Sequence, residues 1–273
     1  MKKTLTLLLT MLLSISILAG CSGKTGTTTA TDNSKSKKVI TVGATPVPHK
    51  EILEKVKPIL EKQGYELKIV EFTDYVTPNT ALAEGQLDAN FFQHIPYLNK
   101  FKTDKNLDLT YTVKVHIEPM AVYSKTLKSL NDLKQGAVIA IPNDATNGAR
   151  ALKVLEAAGL IKLKSGELVS KLDITENKKG IVIKELEAPQ LPRILGDVDA
   201  AVINTNYALE AGLNPTKDAL AIEAKDSPYA NVLAVRTEDK DKDYIKALSA
   251  ALNSDEIKKF IQDKYQGSII PAF

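Results

Sequence analysis

From residue 39 onward, short apolar runs alternate with segments whose apolar residues recur every three or four positions, and this alternation constrains the fold more than any other feature of the chain. Runs over 39–42, 67–72, 88–92, 137–141, 181–186 and 200–203 predict short, largely buried strands. A longer strand is expected over 111–123, interrupted by Pro119. Between the runs, Ile52, Leu53, Val56, Ile59 and Leu60 fall on one helical face that stops at Gly64, with Pro58 expected to kink or split the helix. Thr77-Pro78 opens a second helix reaching about Leu87, Pro96 starts a third, a fourth covers 145–158, and two more lie at 244–252 and 255–264. Strands alternating with helices are the signature of α/β architecture.

The first twenty residues stand apart from that pattern. Lys2-Lys3 precede an apolar run over 4–18, which ends in Leu18-Ala19-Gly20-Cys21. The run is short for a membrane span and meets a small-residue cleavage pattern, so 1–20 reads as a lipoprotein signal peptide. Cys21 is the only cysteine of the chain and sits where a bacterial lipoprotein signal places its acylated residue. The other reading of Cys21 is a buried free thiol. Cleavage before Cys21 leaves 253 of the 273 residues, lipid-anchored to the cell membrane on its extracytoplasmic face. Residues 21–38 carry almost nothing worth burying and read as a disordered tether.

Composition removes several function classes. Thirty-six basic and 33 acidic side chains give +3, and loss of Lys2 and Lys3 makes it 34 − 33, or +1. Such a balance offers no electrostatic footprint for nucleic acid. A single cysteine excludes a disulfide framework and a cysteine-ligated metal, and three histidines (His49, His94, His116) leave little for any metal site, so neither metal nor cofactor is expected. Phosphate-binding loops, nucleophile elbows and His-Glu-x-x-His pairs do not occur in the sequence. The enzymatic reading that survives is an acid/base pair of His94 or His116 with Asp88 or Glu118; a non-enzymatic binding role needs no such pair, and no catalytic residue is assigned.

Aromatic residues gather where a ligand would sit. Of the 15 Phe and Tyr, six (Phe72, Tyr75, Phe91, Phe92, Tyr97, Phe101) lie within residues 72–101, with His94 among them. Some of these belong to a core, but Tyr75 and the segment 90–97 follow predicted strand ends, where open α/β sheets place their ligands. Arginine is also informative, since only Arg150, Arg193 and Arg236 occur beside 33 lysines. Arg150 falls in the first turns of the helix over 145–158, where a guanidinium and free backbone N–H groups would favour a carboxylate. A surface arginine, or one paired with Asp144, is the alternative.

Seven motifs occur in order: the Leu-Ala-Gly-Cys box; Glu71-Phe72-Thr73-Asp74-Tyr75-Val76-Thr77-Pro78-Asn79; Asn90-Phe91-Phe92-Gln93-His94-Ile95-Pro96-Tyr97; His116-Ile117-Glu118-Pro119-Met120; Ile141-Pro142-Asn143-Asp144 with Asn147 and Arg150; Ala201-Val202-Ile203-Asn204-Thr205-Asn206-Tyr207; and Asp226-Ser227-Pro228-Tyr229-Ala230-Asn231. Together they resemble the NlpA family of methionine-binding lipoproteins, with Ala230 a departure where a larger aliphatic residue is expected. The resemblance implies a two-lobed α/β fold like that of periplasmic binding proteins (type II-like), its lobes joined by two crossover strands with the ligand in the cleft. One lobe would comprise 39–118 plus 231–273, the other 119–230. Tyr75, Phe92, His94 and Tyr97 would wall a side-chain pocket, Arg150 would hold the carboxylate, Asn204 and Asn231 would hold the amino group, and His116 would line the cleft near the hinge. Asn204 could alternatively be a helix N-cap. Tyr207, Tyr229 and Asn147 are neighbours without an assigned role.

The implied function is capture of methionine and delivery to the membrane permease and ATPase subunits of an ABC importer, with the binding protein itself a monomer. The thioether would gain from aromatic contact. D-methionine, methionine sulfoxide, a methionine-containing dipeptide or another amino acid remain open as ligands. A surface interaction lipoprotein with no transport role is the alternative from a different class.

Overall fold

The apolar runs become strands, and their alternation decides which core each side chain enters. The computed structural model describes residues 38–273; the signal peptide, Cys21 and almost all of the expected tether lie outside the described residues. In chain order the strands are β1 (Lys38–Ala44), β2 (Tyr65–Glu71), β3 (Ala89–His94), β4 (Leu109–Ile117), β5 (Ala121–Tyr123), β6 (Val138–Pro142), β7 (Lys162–Leu163), β8 (Ile174–Glu176), β9 (Val182–Leu186), β10 (Ala200–Ile203), β11 (Ala221–Ile222), β12 (Ala230–Arg236) and β13 (Ile270–Pro271). The helices are α1 (Glu51–Glu61), α2 (Thr77–Ala83), α3 (Ile95–Lys105), α4 (Ala145–Ala157), α5 (Thr205–Glu210), α6 (Asp243–Leu252) and α7 (Asp255–Tyr265).

Two sheets organise these elements. A six-stranded sheet runs β13-β4-β12-β3-β1-β2, and a five-stranded sheet runs β11-β5-β10-β6-β9. Helices follow strands, so β1 pairs in parallel with both β2 and β3, and β6 in parallel with β9 and β10. The chain passes between sheets twice: β4 ends at Ile117 in the first and β5 begins at Ala121 in the second, then β11 ends at Ile222 and β12 begins at Ala230. The single strand expected over 111–123 is therefore two strands in two sheets. The break falls at Glu118-Pro119-Met120, where proline cannot donate to a ladder.

Each sheet buries both faces, as period-two alternation requires. Leu233 and Val235 of β12 pack with Leu53, Val56, Ile245 and Ile261 from α1, α6 and α7, whereas Val232 and Ala234 face Leu82 and Leu98 from α2 and α3. In the second sheet, Val122, Ile139 and Val202 pack with Leu152 and Leu155 of α4, and Ala121, Ala140 and Ile203 face Leu191 and Tyr207. Burying each large aliphatic side chain stabilises the fold by about 1.5–3 kcal/mol.

Three expectations need correction. α1 continues through Pro58 rather than splitting; Pro58 lies on the exposed face, where water can solvate the carbonyl that loses its donor. α2 stops at Ala83 rather than near Leu87, because Gly85 takes a positive φ of 77° and turns the chain. β12 was not expected as a strand, although 232–235 is an apolar run; it is the antiparallel partner of both β3 and β4.

Candidate functional site

Strand ends of the two sheets converge on one small pocket, walled by residues from both. The end of β3 supplies Phe92, Gln93 and His94; the first turn of α3 adds Tyr97, and the loop after β2 adds Tyr75. Glu118 enters from the first crossing, Asn147 and Arg150 from α4, Asn204, Thr205 and Asn206 from the start of α5, and Asn231 from β12. Seven of the eight residues expected from sequence therefore line it. His116 does not reach the pocket. Its ring is fully buried behind Glu118, where Nε2 lies 2.7 Å from Glu118 Oε1.

The aromatic wall is assembled from three rings. Tyr75 stands 5.9 Å from Phe92 and 5.8 Å from Tyr97, and Tyr97 donates its hydroxyl to the Tyr75 carbonyl at 3.0 Å. Tyr75 also donates to Asn206 Oδ1 at 2.6 Å and packs on Tyr207 at 5.0 Å, so the loop after β2 is tied to α5. Beneath β3, the buried amides of Asn79, Asn90 and Gln93 bond one another, fixing the strand end that presents Phe92 and His94.

A polar network sets the orientation of the opposite side. Asp144 caps α4 through Oδ1, accepting the N–H groups of Thr146 and Asn147, while its Oδ2 accepts Asn147 Nδ2 at 3.0 Å. That fixes Asn147 Oδ1 toward the pocket, where it accepts from Asn204 Nδ2 at 2.8 Å and from His94 Nε2 at 3.0 Å. His94 Nδ1 accepts from the Tyr97 N–H at 3.1 Å, so the ring carries its hydrogen on Nε2. Burial, reinforced by the Arg150 charge, pushes His94 down to about 3, and the imidazole is neutral. Asn204 occupies the N-cap position of α5 but its side chain makes no capping bond, against the N-cap reading of this residue. Its Oδ1 is buried and has no protein partner, as is Nδ2 of Asn206. The pocket thus holds an unpaired acceptor and an unpaired donor, each costly to leave unsatisfied.

Arg150 is buried, not a surface residue, and its partner is not Asp144. Its Nε and Nη2 donate to the two oxygens of Glu223 at 2.9 and 2.6 Å, and Nη2 also donates to the Glu118 carbonyl at 2.7 Å. The guanidinium carbon lies 4.2 Å from the ring centre of Tyr229. Nη1 has no protein acceptor among the described residues. Glu118 and Glu223 stand at the two chain crossings, so one guanidinium bridges both.

Below the pocket, His49, His116 and Glu118 place their ligand atoms within 4.8 Å of one another. These are ligand types a divalent metal accepts, but their separations from Glu118 Oε1 are hydrogen-bond distances of 3.2 and 2.7 Å, and the oxygen itself occupies the space between the rings. Burial lowers His49 to about 4 and His116 to about 3, and raises the Glu118 carboxyl, which its His49 and Arg150 neighbours and the Asn206 N–H draw back. Of the acid/base pairs considered as an alternative, His116 and Glu118 are in hydrogen-bond contact; Asp88 instead accepts the Thr41 N–H of β1.

Sequence reasoning missed Gln93, Thr205, Asn206 and Glu223 as parts of the site, and Glu118 as one of its walls. Asn206 had a readable signal, standing two residues from Asn204. Glu223 had none, since it lies 73 residues from the arginine it holds.

Two sheets with separate cores, two chain crossings and a pocket walled from both sides define the class of the bilobal substrate-binding proteins. The NlpA lipoprotein family model matches residues 40–273. The D-methionine-binding lipoprotein MetQ of Salmonella typhi is 41% identical over 261 residues, 94% of this chain and 93% of that protein. Among solved structures, a nutrient binding protein from Burkholderia cenocepacia bound to methionine shares 49% identity with a TM-score of 0.84, covering 86% of this chain and all of its own. A periplasmic substrate-binding protein of an ABC transporter from Coxiella burnetii shares 44% identity with a TM-score of 0.83, over 85% and 100% of the two chains. The chain belongs to the NlpA lipoprotein family.

Proposed function

We propose that this protein is a lipid-anchored receptor that captures methionine outside the cell membrane and delivers it to the permease and ATPase subunits of an ABC importer. One observation carries the reading: the pocket sets an unpaired acceptor, Asn204 Oδ1, and an unpaired donor, Asn206 Nδ2, beside the Arg150 guanidinium and a wall of three aromatic rings. A zwitterionic amino acid with a soft, flexible side chain satisfies them all. Its carboxylate meets Arg150 Nη1 with Asn206 Nδ2 alongside. Its ammonium meets Asn204 Oδ1, the remaining lone pair of Asn231 Oδ1 (already 3.2 Å from His49 Nε2) and the Glu118 side. The thioether lies among Tyr75, Phe92 and Tyr97, each sulfur–ring contact contributing about 0.3–1.5 kcal/mol. The names of these relatives, which speak of methionine and of an ABC transporter, support this ligand and this role. No bond is made or broken in such a cycle, and the neutral His94 serves to hold Asn147 and Tyr97 in place.

The two sheets are the frames of the two lobes, 39–118 plus 231–273 and 119–230, and ligand would stabilise the form in which they are closed. Titration calorimetry and thermal melting with L-methionine, D-methionine, methionine sulfoxide and a methionine dipeptide test the assignment. Saturable one-to-one binding of L-methionine with a melting temperature that climbs with its concentration is the expected result. No heat and no shift with any of the four would overturn it and favour a surface interaction role.

Anchoring rests on Cys21. Among the described residues no helix is long and apolar enough to cross a membrane. Cys21→Ser is expected to release the protein to the soluble fraction or leave an uncleaved precursor, read by fractionation and mass spectrometry. A Cys21→Ser protein that is processed and still firmly membrane-bound would contradict lipidation at that thiol.

A further inference from the structure

Arg150 does not enter the pocket as an uncompensated cation. Glu223 meets it fork to fork at 2.9 and 2.6 Å, and Glu223 is itself fixed, its Oε2 lying 3.3 Å from the Met120 N–H. Tyr229 covers the guanidinium face at 4.2 Å. A paired carboxylate at this range cancels most of the field that the guanidinium would project into a site screened from water. The acidic residue that itself lines the pocket is Glu118, 5% exposed, and His94 is neutral.

This arrangement treats two kinds of ligand differently. A simple carboxylate would find Nη1 as a hydrogen-bond donor but little net positive potential, with Glu118 nearby and Asn204 Oδ1 still unsatisfied. A zwitterion brings its own compensating charge, and its ammonium fills that orphan acceptor. We propose that Glu223 sets the preference of this pocket for zwitterionic amino acids over simple carboxylates, by holding the guanidinium and cancelling its charge. The inference rests on the amino-acid reading given above.

Titration calorimetry with L-methionine and with 4-(methylthio)butanoate, which is methionine without its ammonium group, separates the two. The wild-type protein is expected to prefer methionine strongly. In Glu223→Gln, which keeps the size and loses the charge, that preference narrows by about tenfold or more, chiefly because the butanoate binds better. Glu223→Ala narrows it by a second route, and Glu223→Asp, which keeps the charge, leaves the ratio close to wild type even where both affinities drop. Equal weakening of both ligands in Glu223→Gln and Glu223→Ala, with the ratio unchanged, would reduce Glu223 to a prop and overturn the proposal. A wild-type protein that binds neither compound would instead overturn the amino-acid reading, and this inference with it.

Discussion

Arg150→Ala is expected to weaken methionine binding by roughly thirty- to several-thousand-fold, the cost of about 2–5 kcal/mol that follows truncation of one partner in a buried, hydrogen-bonded charge pair. Arg150→Lys is also expected to bind worse. A single ammonium cannot serve Glu223, the Glu118 carbonyl, the Tyr229 face and the ligand at once. Arg150 also ties together the two crossings, and its removal strands Glu223. A stability loss should therefore accompany the binding loss in Arg150→Ala. The double variant Arg150→Ala with Glu223→Ala distinguishes the two effects, recovering stability but not affinity. Arg193→Lys should leave binding unchanged. Arg236 is a structural arginine, its Nη1 donating to the Leu82 and Leu87 carbonyls at 2.6 Å, so Arg236→Lys should cost stability while sparing affinity. Calorimetry and denaturant unfolding on these variants check all of it; wild-type affinity in Arg150→Lys would place the carboxylate clamp elsewhere.

Acid should destabilise the protein well above the pH at which its carboxylates titrate. His49, His94 and His116 are neutral when folded, held by burial at about 4, about 3 and about 3, against 6.5 for an unburied imidazole. Above 6.5 both folded and unfolded states leave these rings uncharged, and stability is complete. As pH falls from 6.5 toward 4, the unfolded chain takes up protons that the native rings refuse, and stability drops. The limiting slope is about 1.4 kcal/mol per pH unit for each histidine, or roughly 4 for three. Glu118 works in the opposite sense. Its raised carboxyl binds a proton in the folded state before the unfolded one does, so it offsets part of the loss. Urea midpoints at about pH 7.5, 6 and 5 should fall in step, whereas a midpoint unchanged down to about pH 5 would show that these rings are not buried and neutral together.

Local signals made the frame legible: β1, β2, β3, β6, β9 and β10 coincide with apolar runs, and α6 and α7 with helical periodicity. The pocket wall was legible too, since Tyr75, Phe92, His94 and Tyr97 cluster in sequence and follow strand ends. What stayed hidden is what distant parts of the chain do to one another. Nothing near Arg150 announces that Glu223 will occupy its fork, and nothing near His116 says that β4 turns its ring under Glu118 instead of into the pocket. The role of Asn204 was ambiguous for the same reason. An asparagine before a helix normally caps it; here Asn147, fixed by Asp144, accepts its amide N–H and leaves Oδ1 unpaired.

Native mass spectrometry of the folded protein, expressed without its signal peptide and stripped of small molecules by unfolding and refolding, tests the pocket most directly. On addition of L-methionine the wild-type protein should gain the mass of one methionine, and Arg150→Ala should gain none at the same concentration. A wild-type protein that stays at its unliganded mass, or an Arg150→Ala protein that takes up methionine equally well, would contradict the account.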